Sequence, residues 1–197
     1  MKKVFIDCGA HHGEGLRYFI PRLGIDYNWE VHCFEPNTAC LIYDRIEEIE
    51  RQYKVMVQPS VRAVWTCDAL LDFKQENHFI SQSGSPTDGR SKLDGWASQV
   101  AELNGDFRGL ESTIKVVGFN FSEFLLQFAY GYDVYCKMDI EGSEFPVLRK
   151  VLNDGRAGIL KHLWVEFHER FLPAETAETK WQLIRELSKH TVVTEWH

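Results

Sequence analysis

Two short segments place carboxylates and glycines in an order suited to holding a ligand. They are Val4-Phe5-Ile6-Asp7-Cys8-Gly9-Ala10-His11-His12-Gly13 and Lys137-Met138-Asp139-Ile140-Glu141-Gly142-Ser143-Glu144. Each is an apolar run that stops at an acidic residue and then at glycine, just ahead of a helix-like stretch. Parallel strands deliver such groups to the carboxyl edge of a sheet, where doubly wound α/β folds bind their ligands. Asp7-x-Gly9-x-x-x-Gly13-x-Gly15 supplies a tight turn and close backbone approach at a helix amino terminus. Phe34-Glu35-Pro36 closes a second strand on a carboxylate, the position from which these folds accept hydrogen bonds from ribose hydroxyls. The combination points to a nucleoside-containing cofactor.

Two cofactor classes compete for that site. A nicotinamide dinucleotide brings a pyrophosphate, which favours Gly-x-Gly-x-x-Gly over a helix start. Here the spacing is Gly-x-x-x-Gly-x-Gly, and Asp7 at the strand's mouth is expected to repel pyrophosphate and to suit a cationic, amino-bearing ligand such as S-adenosylmethionine. Short-chain dehydrogenases share the glycine spacing but need Tyr-x-x-x-Lys, and none of the seven tyrosines has a lysine four residues later. Methyl transfer is the better reading. A nicotinamide-dependent oxidoreductase and a non-catalytic S-adenosylmethionine-binding protein are the alternatives. N-methylation is disfavoured by the lack of an Asn/Asp-Pro-Pro-Tyr/Phe run.

These groups require a sheet with helices on both faces. Val4–Asp7, Trp29–Phe34, Val134–Asp139 and Leu163–Phe167 read as strands. Glu14–Leu23 and Ser143–Leu152 read as helices. In Thr38–Tyr53, Leu41, Ile42, Ile46, Ile49 and Tyr53 recur at helical steps. Val55–Val57 and Arg62–Trp65 form one bent strand or two short ones, with Pro59 at the break. Leu70–Lys74 and Thr113–Phe121 are further strands, and Ser122 is expected to cap a helix over Glu123–Tyr130. Thr179–His190 makes the last helix and Thr191–Trp196 the terminal strand. The βαβ alternation implies a doubly wound, mainly parallel sheet. Residues 75–112 are polar and rich in Ser and Gly, which marks an insertion or a lid in a single domain spanning 1–197.

A chain of 197 residues is about one domain and can bury a continuous core. The formal charge of −7 and the lack of a basic block argue against a nucleic-acid partner. No apolar run approaches the ~20 residues that cross a bilayer. Lys2-Lys3 leads straight into a strand and not into a signal peptide, so a cytoplasmic protein without membrane contact is expected. Cys8, Cys33, Cys40, Cys67 and Cys136 include no Cys-x-x-Cys pair and read as reduced thiols. The sequence does not reveal the oligomeric state.

With these residues in hand, the chain resembles the FkbM family of S-adenosylmethionine-dependent methyltransferases from about Lys3 to Glu169. The resemblance rests on Phe5 to Gly13, Phe34-Glu35-Pro36, Arg62-Ala63-Val64, Trp164-Val165-Glu166-Phe167-His168 and, above all, Lys137-x-Asp139-x-Glu141-Gly142-x-Glu144 followed by Val147-Leu148. It implies a Rossmann-like class I methyltransferase sheet whose final antiparallel strand is expected to be cut short. It also implies that Ala63 and Val64 line the adenine pocket. The family usually has asparagine where His11 stands, though histidine still donates one hydrogen bond.

The cofactor-binding set is then Asp7, Gly9, Ala10, His11, Gly13, Glu35, Pro36, Ala63, Val64 and Asp139. Asp139 ends a strand beside the first and is assigned to the methionine amino group or the acceptor. Glu166 and His168 alternate on one strand face, and His168, the side chain best poised near neutral pH, is the expected general base. Catalytic candidates are His168, Glu166 and Asp139. Asp139, Glu141, Glu166 and His168 would suit a divalent ion if they converged, but the sequence does not establish convergence, and no metal ligand is assigned. The expected reaction is O-methylation of a sugar, glycan or small hydroxylated metabolite, a substrate class that rests on family analogy alone.

Overall fold

The computed structural model describes residues 1–38, 42–75, 98–100 and 112–196. In chain order its elements are β1 (Lys2–Cys8), α1 (Glu14–Leu23), β2 (Trp29–Phe34), α2 (Ile42–Tyr53), β3 (Val57–Ser60), β4 (Ala63–Trp65), β5 (Ala69–Gln75) and β6 (Ser98–Val100). There follow β7 (Ser112–Asn120), α3 (Phe121–Leu125), β8 (Tyr132–Met138), α4 (Glu144–Asn153), β9 (Leu160–Val165), α5 (Ala177–Leu187) and β10 (Val192–Glu195).

Six strands form one sheet in the order β10-β9-β8-β1-β2-β3, and every neighbouring pair is parallel. The order reverses between β1 and β8. From β1 the chain steps outward to β2 and β3; from β8 it steps the other way to β9 and β10. A crevice opens at the carboxyl ends of the strands at such a switch point. The expected doubly wound, Rossmann-like arrangement is therefore present.

One detail is corrected: the terminal strand β10 is parallel to β9, with Val192 beside His162 and Glu195 beside Val165. The reason lies in α5. Leu183 and Leu187 seat that helix in the core, and a helical crossover returns the chain to the edge where β9 began, so the next strand runs in the same sense.

Side-chain alternation along β1 divides the core into two layers. Val4, Ile6 and Cys8 face Phe145 and Leu148 of α4 and Leu183 of α5. Phe5 faces Leu16 and Phe19 of α1 and Ile49 of α2. Phe5, Phe145 and Leu16 are fully excluded from water, and each contributes about 1.5–3 kcal/mol on burial. Asp7 and Lys137 follow Phe5 and Tyr135 by two residues, so both project from the sheet towards α1. Cys8, Cys33 and Cys136 are buried as free thiols and Cys67 is exposed.

A second, mixed sheet has the order β4-β7-β5-β6, with β4 parallel to β7 and β5 antiparallel to both β7 and β6. Pro59 does not mark the break between β3 and β4; it lies inside β3. β3 is the edge of the main sheet, where a missing N–H leaves no ladder bond unmade. The chain then turns into the second sheet and brings Val64 against Phe34 and Phe119. The helix expected over 123–130 is α3 followed by a 3-10 turn at 126–128. Asn120, not Ser122, caps it by accepting from the Glu123 N–H at 3.2 Å. Ser122 instead donates to Asp154 at 2.6 Å. The segment expected as a lid, 75–112, supplies β6 and the adjoining ends of β5 and β7; its other residues lie outside those described.

Candidate functional site

The turn after β1 is fastened to both neighbouring strands. The Gly9 and Ala10 N–H groups donate to the Phe34 carbonyl at 2.9 and 3.1 Å, and the Asp139 N–H donates to the Cys8 carbonyl at 3.0 Å. Gly9 has φ 76°, and a Cβ there would lie 1.7 Å from the Asp139 carbonyl oxygen. Only glycine lets β1 and β8 approach this closely at their ends. Gly13, at φ 85°, donates to the Ala10 carbonyl at 2.7 Å and delivers the chain into α1.

The same turn orients Glu35. One carboxylate oxygen accepts from the His11 N–H at 2.9 Å and the other from the Asn37 N–H at 2.8 Å. Burial pushes the Glu35 carboxyl up, and the two N–H bonds pull against that rise. The carboxylate is thus pinned in one orientation at the end of β2, at the wall of the crevice.

Asp7 does not line the crevice. It is fully buried and registers directly beside Lys137 on β8. The Lys137 ammonium lies 3.2 Å from Asp7 and 3.5 Å from Asp139, and it donates to the Gly9 carbonyl at 2.6 Å. Burial works against the ammonium, but Asp7 and Asp139 outweigh it and hold Lys137 charged. Burial likewise pushes the Asp7 carboxyl up, opposed by Lys137. The expected part played by Asp7 in attracting a cationic ligand is therefore corrected: its charge is spent on a paired lysine inside the sheet. The inference that Asp7 would repel a pyrophosphate falls with it.

Two adjoining clefts occupy the switch point. One, of about 210 Å³, is walled by Gly9, Ala10, His11, Glu14, Glu35 and Asp139, with Trp196 at its side. The other, of about 40 Å³, is walled by Phe34, Pro36, Ala63, Val64 and Phe73 and shares Gly9, Glu35, Asp139 and Glu141 with the first. One end is polar and the other largely apolar. Eight of the expected cofactor residues meet here; Asp7 and Gly13 stand behind the wall and shape it.

Glu14, Phe73 and Trp196 were not singled out from sequence. Glu14 was legible as the acidic residue that opens α1. Phe73 and Trp196 had no local signal. Phe73 arrives through the second sheet, and Trp196 is placed by its N–H bond to the Val165 carbonyl and by ring contacts with Tyr18 and Phe19.

Beside the clefts, four carboxylates surround one imidazole. His168 is 5% exposed. Its Nδ1 lies 3.2 Å from Glu144, and its Nε2 lies 3.4 Å from Glu141, 3.8 Å from Asp139 and 3.9 Å from Glu166. Glu144 is fully buried and accepts from the Ile140 and Gly142 N–H groups at 2.6 and 2.8 Å. β9 ends at Val165, so Glu166 and His168 sit in the loop after it and not on the strand.

Burial works against the His168 charge, but Glu144, Glu141 and Asp139 outweigh it and hold the pKa up at about 10. Burial pushes Glu141 up to about 8, opposed by His168 and aided by Asp139. His168 is buried behind the cleft-lining carboxylates and lines neither cleft, a poor position from which to take a proton from an acceptor, which corrects the expectation of His168 as general base. Asp139 and Glu141 are the members of this group that reach the clefts. Among the described residues, Asp139, Glu141 and His168 bring ligand atoms within 4.8 Å of one another, close enough to hold a metal ion.

No helix among the described residues is long and apolar enough to cross a membrane. Neither the curated proteins nor the solved structures yielded a match to this chain. The sequence pattern of the methyltransferase FkbM domain, however, matches residues 7–190, which span the switch point, the histidine–carboxylate group and both clefts apart from Trp196, and the chain belongs to that methyltransferase family.

Proposed function

We propose that the chain transfers a methyl group from S-adenosylmethionine to a hydroxyl of a sugar, glycan or small hydroxylated metabolite. The observation that carries this reading is the Glu35 carboxylate, pinned by two N–H groups at the join of a polar and an apolar cleft in a methyltransferase fold. Glu35 would accept from the ribose hydroxyls, as carboxylates at this position do. Pro36, Ala63, Val64 and Phe73 would enclose the adenine. Gly9, Ala10 and His11 offer backbone at the edge of the wider cleft, and Asp139 and Glu141 would meet the amino group and the acceptor.

When bound, the cofactor supplies a methyl on a positively charged sulfur, which becomes a neutral thioether as the acceptor oxygen bonds to that carbon. Asp139 and Glu141 face the hydroxyl from the cleft wall, and a group there that takes its proton is worth ~10²–10⁴-fold in rate. His168 stands beside them, within 3.4 Å of Glu141 and 3.8 Å of Asp139, and helps fix their positions. Alignment of the acceptor against this wall supplies a further part of the rate. The acidic balance of the chain and the lack of a basic block support a small-molecule or glycan acceptor and not a nucleic acid.

Calorimetric titration with S-adenosylmethionine, its demethylated product and NADH tests the cofactor. Binding of the first two and not the third is expected, and binding of NADH alone would overturn the reading. A mass shift of one methyl across a panel of hydroxylated acceptors then identifies the substrate.

A further inference from the structure

We propose that Asp139, Glu141 and His168 form a binding site for a divalent first-row cation at the inner wall of the cleft. The proposal deepens the methyl-transfer reading by giving the acceptor oxygen something to bind. Its first support is spacing. Metal bonds of about 2.1 Å to oxygen and nitrogen set neighbouring ligand atoms about 3.0 to 4.2 Å apart. His168 Nε2 lies 3.4 Å from a Glu141 oxygen and 3.8 Å from an Asp139 oxygen. These atoms come from two separate loops, one after β8 and one after β9, so their convergence is a product of the fold and not of a run of neighbours in sequence.

The second support is what stands behind the histidine. Metal-bound imidazoles almost always give their other ring nitrogen to a carboxylate or carbonyl, which fixes ring orientation and tautomer. Glu144 does this for His168. Two backbone N–H groups lock its carboxylate in place, and its oxygen lies 3.2 Å from Nδ1. Nδ1 therefore carries hydrogen, and Nε2 is aimed at the carboxylates of Asp139, Glu141 and Glu166. The loop makes its own contribution: Glu141, at φ 55°, and Gly142, at φ 98°, fold the chain back so that Asp139 and Glu141 serve the same imidazole.

The third support is access. Asp139 and Glu141 line both clefts while His168 is buried behind them, so an ion at their meeting point would keep its remaining positions towards the acceptor. Two carboxylates and one imidazole suit Mn²⁺, Fe²⁺ or Zn²⁺ better than a soft ion. An ion so held would polarise a coordinated hydroxyl and ease loss of its proton.

The test uses the full chain, stripped with a chelator and dialysed, and titrated with MnCl₂ alone while free Mn²⁺ is followed by its paramagnetic resonance signal. One Mn²⁺ per chain is expected. Asp139→Asn, Glu141→Gln and His168→Gln should each weaken binding at least ~10-fold, the range set by disturbing such shells; Glu123→Gln, outside the site, should not. Thermal melts identify which variants are folded, and Glu141→Gln, at a partly exposed position, carries the test if the buried His168→Gln does not fold. Absence of saturable Mn²⁺ binding to the wild type, or binding unchanged in Glu141→Gln and Asp139→Asn, overturns the site. S-adenosylmethionine is titrated separately into the stripped protein. Cofactor binding without Mn²⁺ binding sinks the cation site alone, whereas Mn²⁺ binding without cofactor binding sinks the methyl-transfer reading alone.

Discussion

At Gly9 a single added carbon would sit 1.7 Å from the Asp139 carbonyl oxygen, and the φ of 76° disfavours any side chain there. The conformation alone costs a non-glycine residue about 1–3 kcal/mol, and the clash must be relieved by moving the end of β8 away from β1. Gly9→Ala is therefore expected to lower Tm by about 2–12 °C from the conformation alone, taking roughly 2–4 °C per kcal/mol for a chain of this size. A circular-dichroism melt that overlays the wild type would refute the packing described here. Glu35→Gln tests function more directly. The amide keeps the side chain's size but turns one acceptor into a donor facing an N–H, and it removes the charge offered to the ribose. Charge-assisted hydrogen bonds are worth about 1.5–3 kcal/mol, so the Kd for S-adenosylmethionine should rise about 10–100-fold by calorimetry. An unchanged Kd would remove Glu35 from the site. Glu35 was legible in sequence because it ends the second strand, where such folds place a carboxylate that accepts from ribose hydroxyls. His168 was misread because nothing local to it announces Glu144, Glu141 and Asp139, which arrive from the loop after another strand and stand around it, two of them between it and the clefts.

Among the elements, α1 shows how the amino end of a helix serves both stability and site. Glu14 opens its first turn, where the helix dipole favours negative charge, and it accepts from the His12 N–H at 3.0 Å. Partial burial works to raise its pKa, but hydrogen bonding to His11 and to its own N–H, with the nearby histidine charges, holds it at about 2 against an ordinary 4.5. A depressed folded-state value means that the ionised form favours folding. That stabilisation is fully present above pH 4.5 and is lost as pH falls towards 2. Glu14→Gln lacks it, so the wild type should melt about 1–4 °C higher near neutral pH, from about 0.3–1 kcal/mol at a largely exposed helix start. The gap should close between pH 4.5 and 2; a gap that persists to pH 2 would deny the carboxylate this part. Periodicity revealed α1, α4 and the main strands because each buries one repeating face. β4, β5 and β7 were legible one by one, but their separate sheet was not, since they find one another only through pairings far apart in sequence.

Over the whole molecule the two halves of the sheet meet at β1 and β8, and the contact between them is not purely apolar. The doubly wound sheet was legible from the βαβ alternation. The partnership of Asp7 with Lys137 was not, because it depends on the register that sets them side by side. This buried pair joins the halves directly beneath the cleft, with the ammonium also holding the Gly9 carbonyl. Removing one partner strands the other charge away from water, at a cost of about 3–5 kcal/mol. Lys137→Met should thus lower Tm by about 6–20 °C. Removing both charges leaves a neutral pair of similar volume, which is often tolerated as well as the ions were. The double variant Asp7→Asn/Lys137→Met should therefore be more stable than Lys137→Met alone, with a coupling of about 0.5–3 kcal/mol between the two sites. Denaturant unfolding of the wild type, both single variants and the double variant measures that coupling. If the two losses simply add, Asp7 and Lys137 do not act as a pair, and the halves of the sheet are held by the β1–β8 backbone ladder and apolar packing.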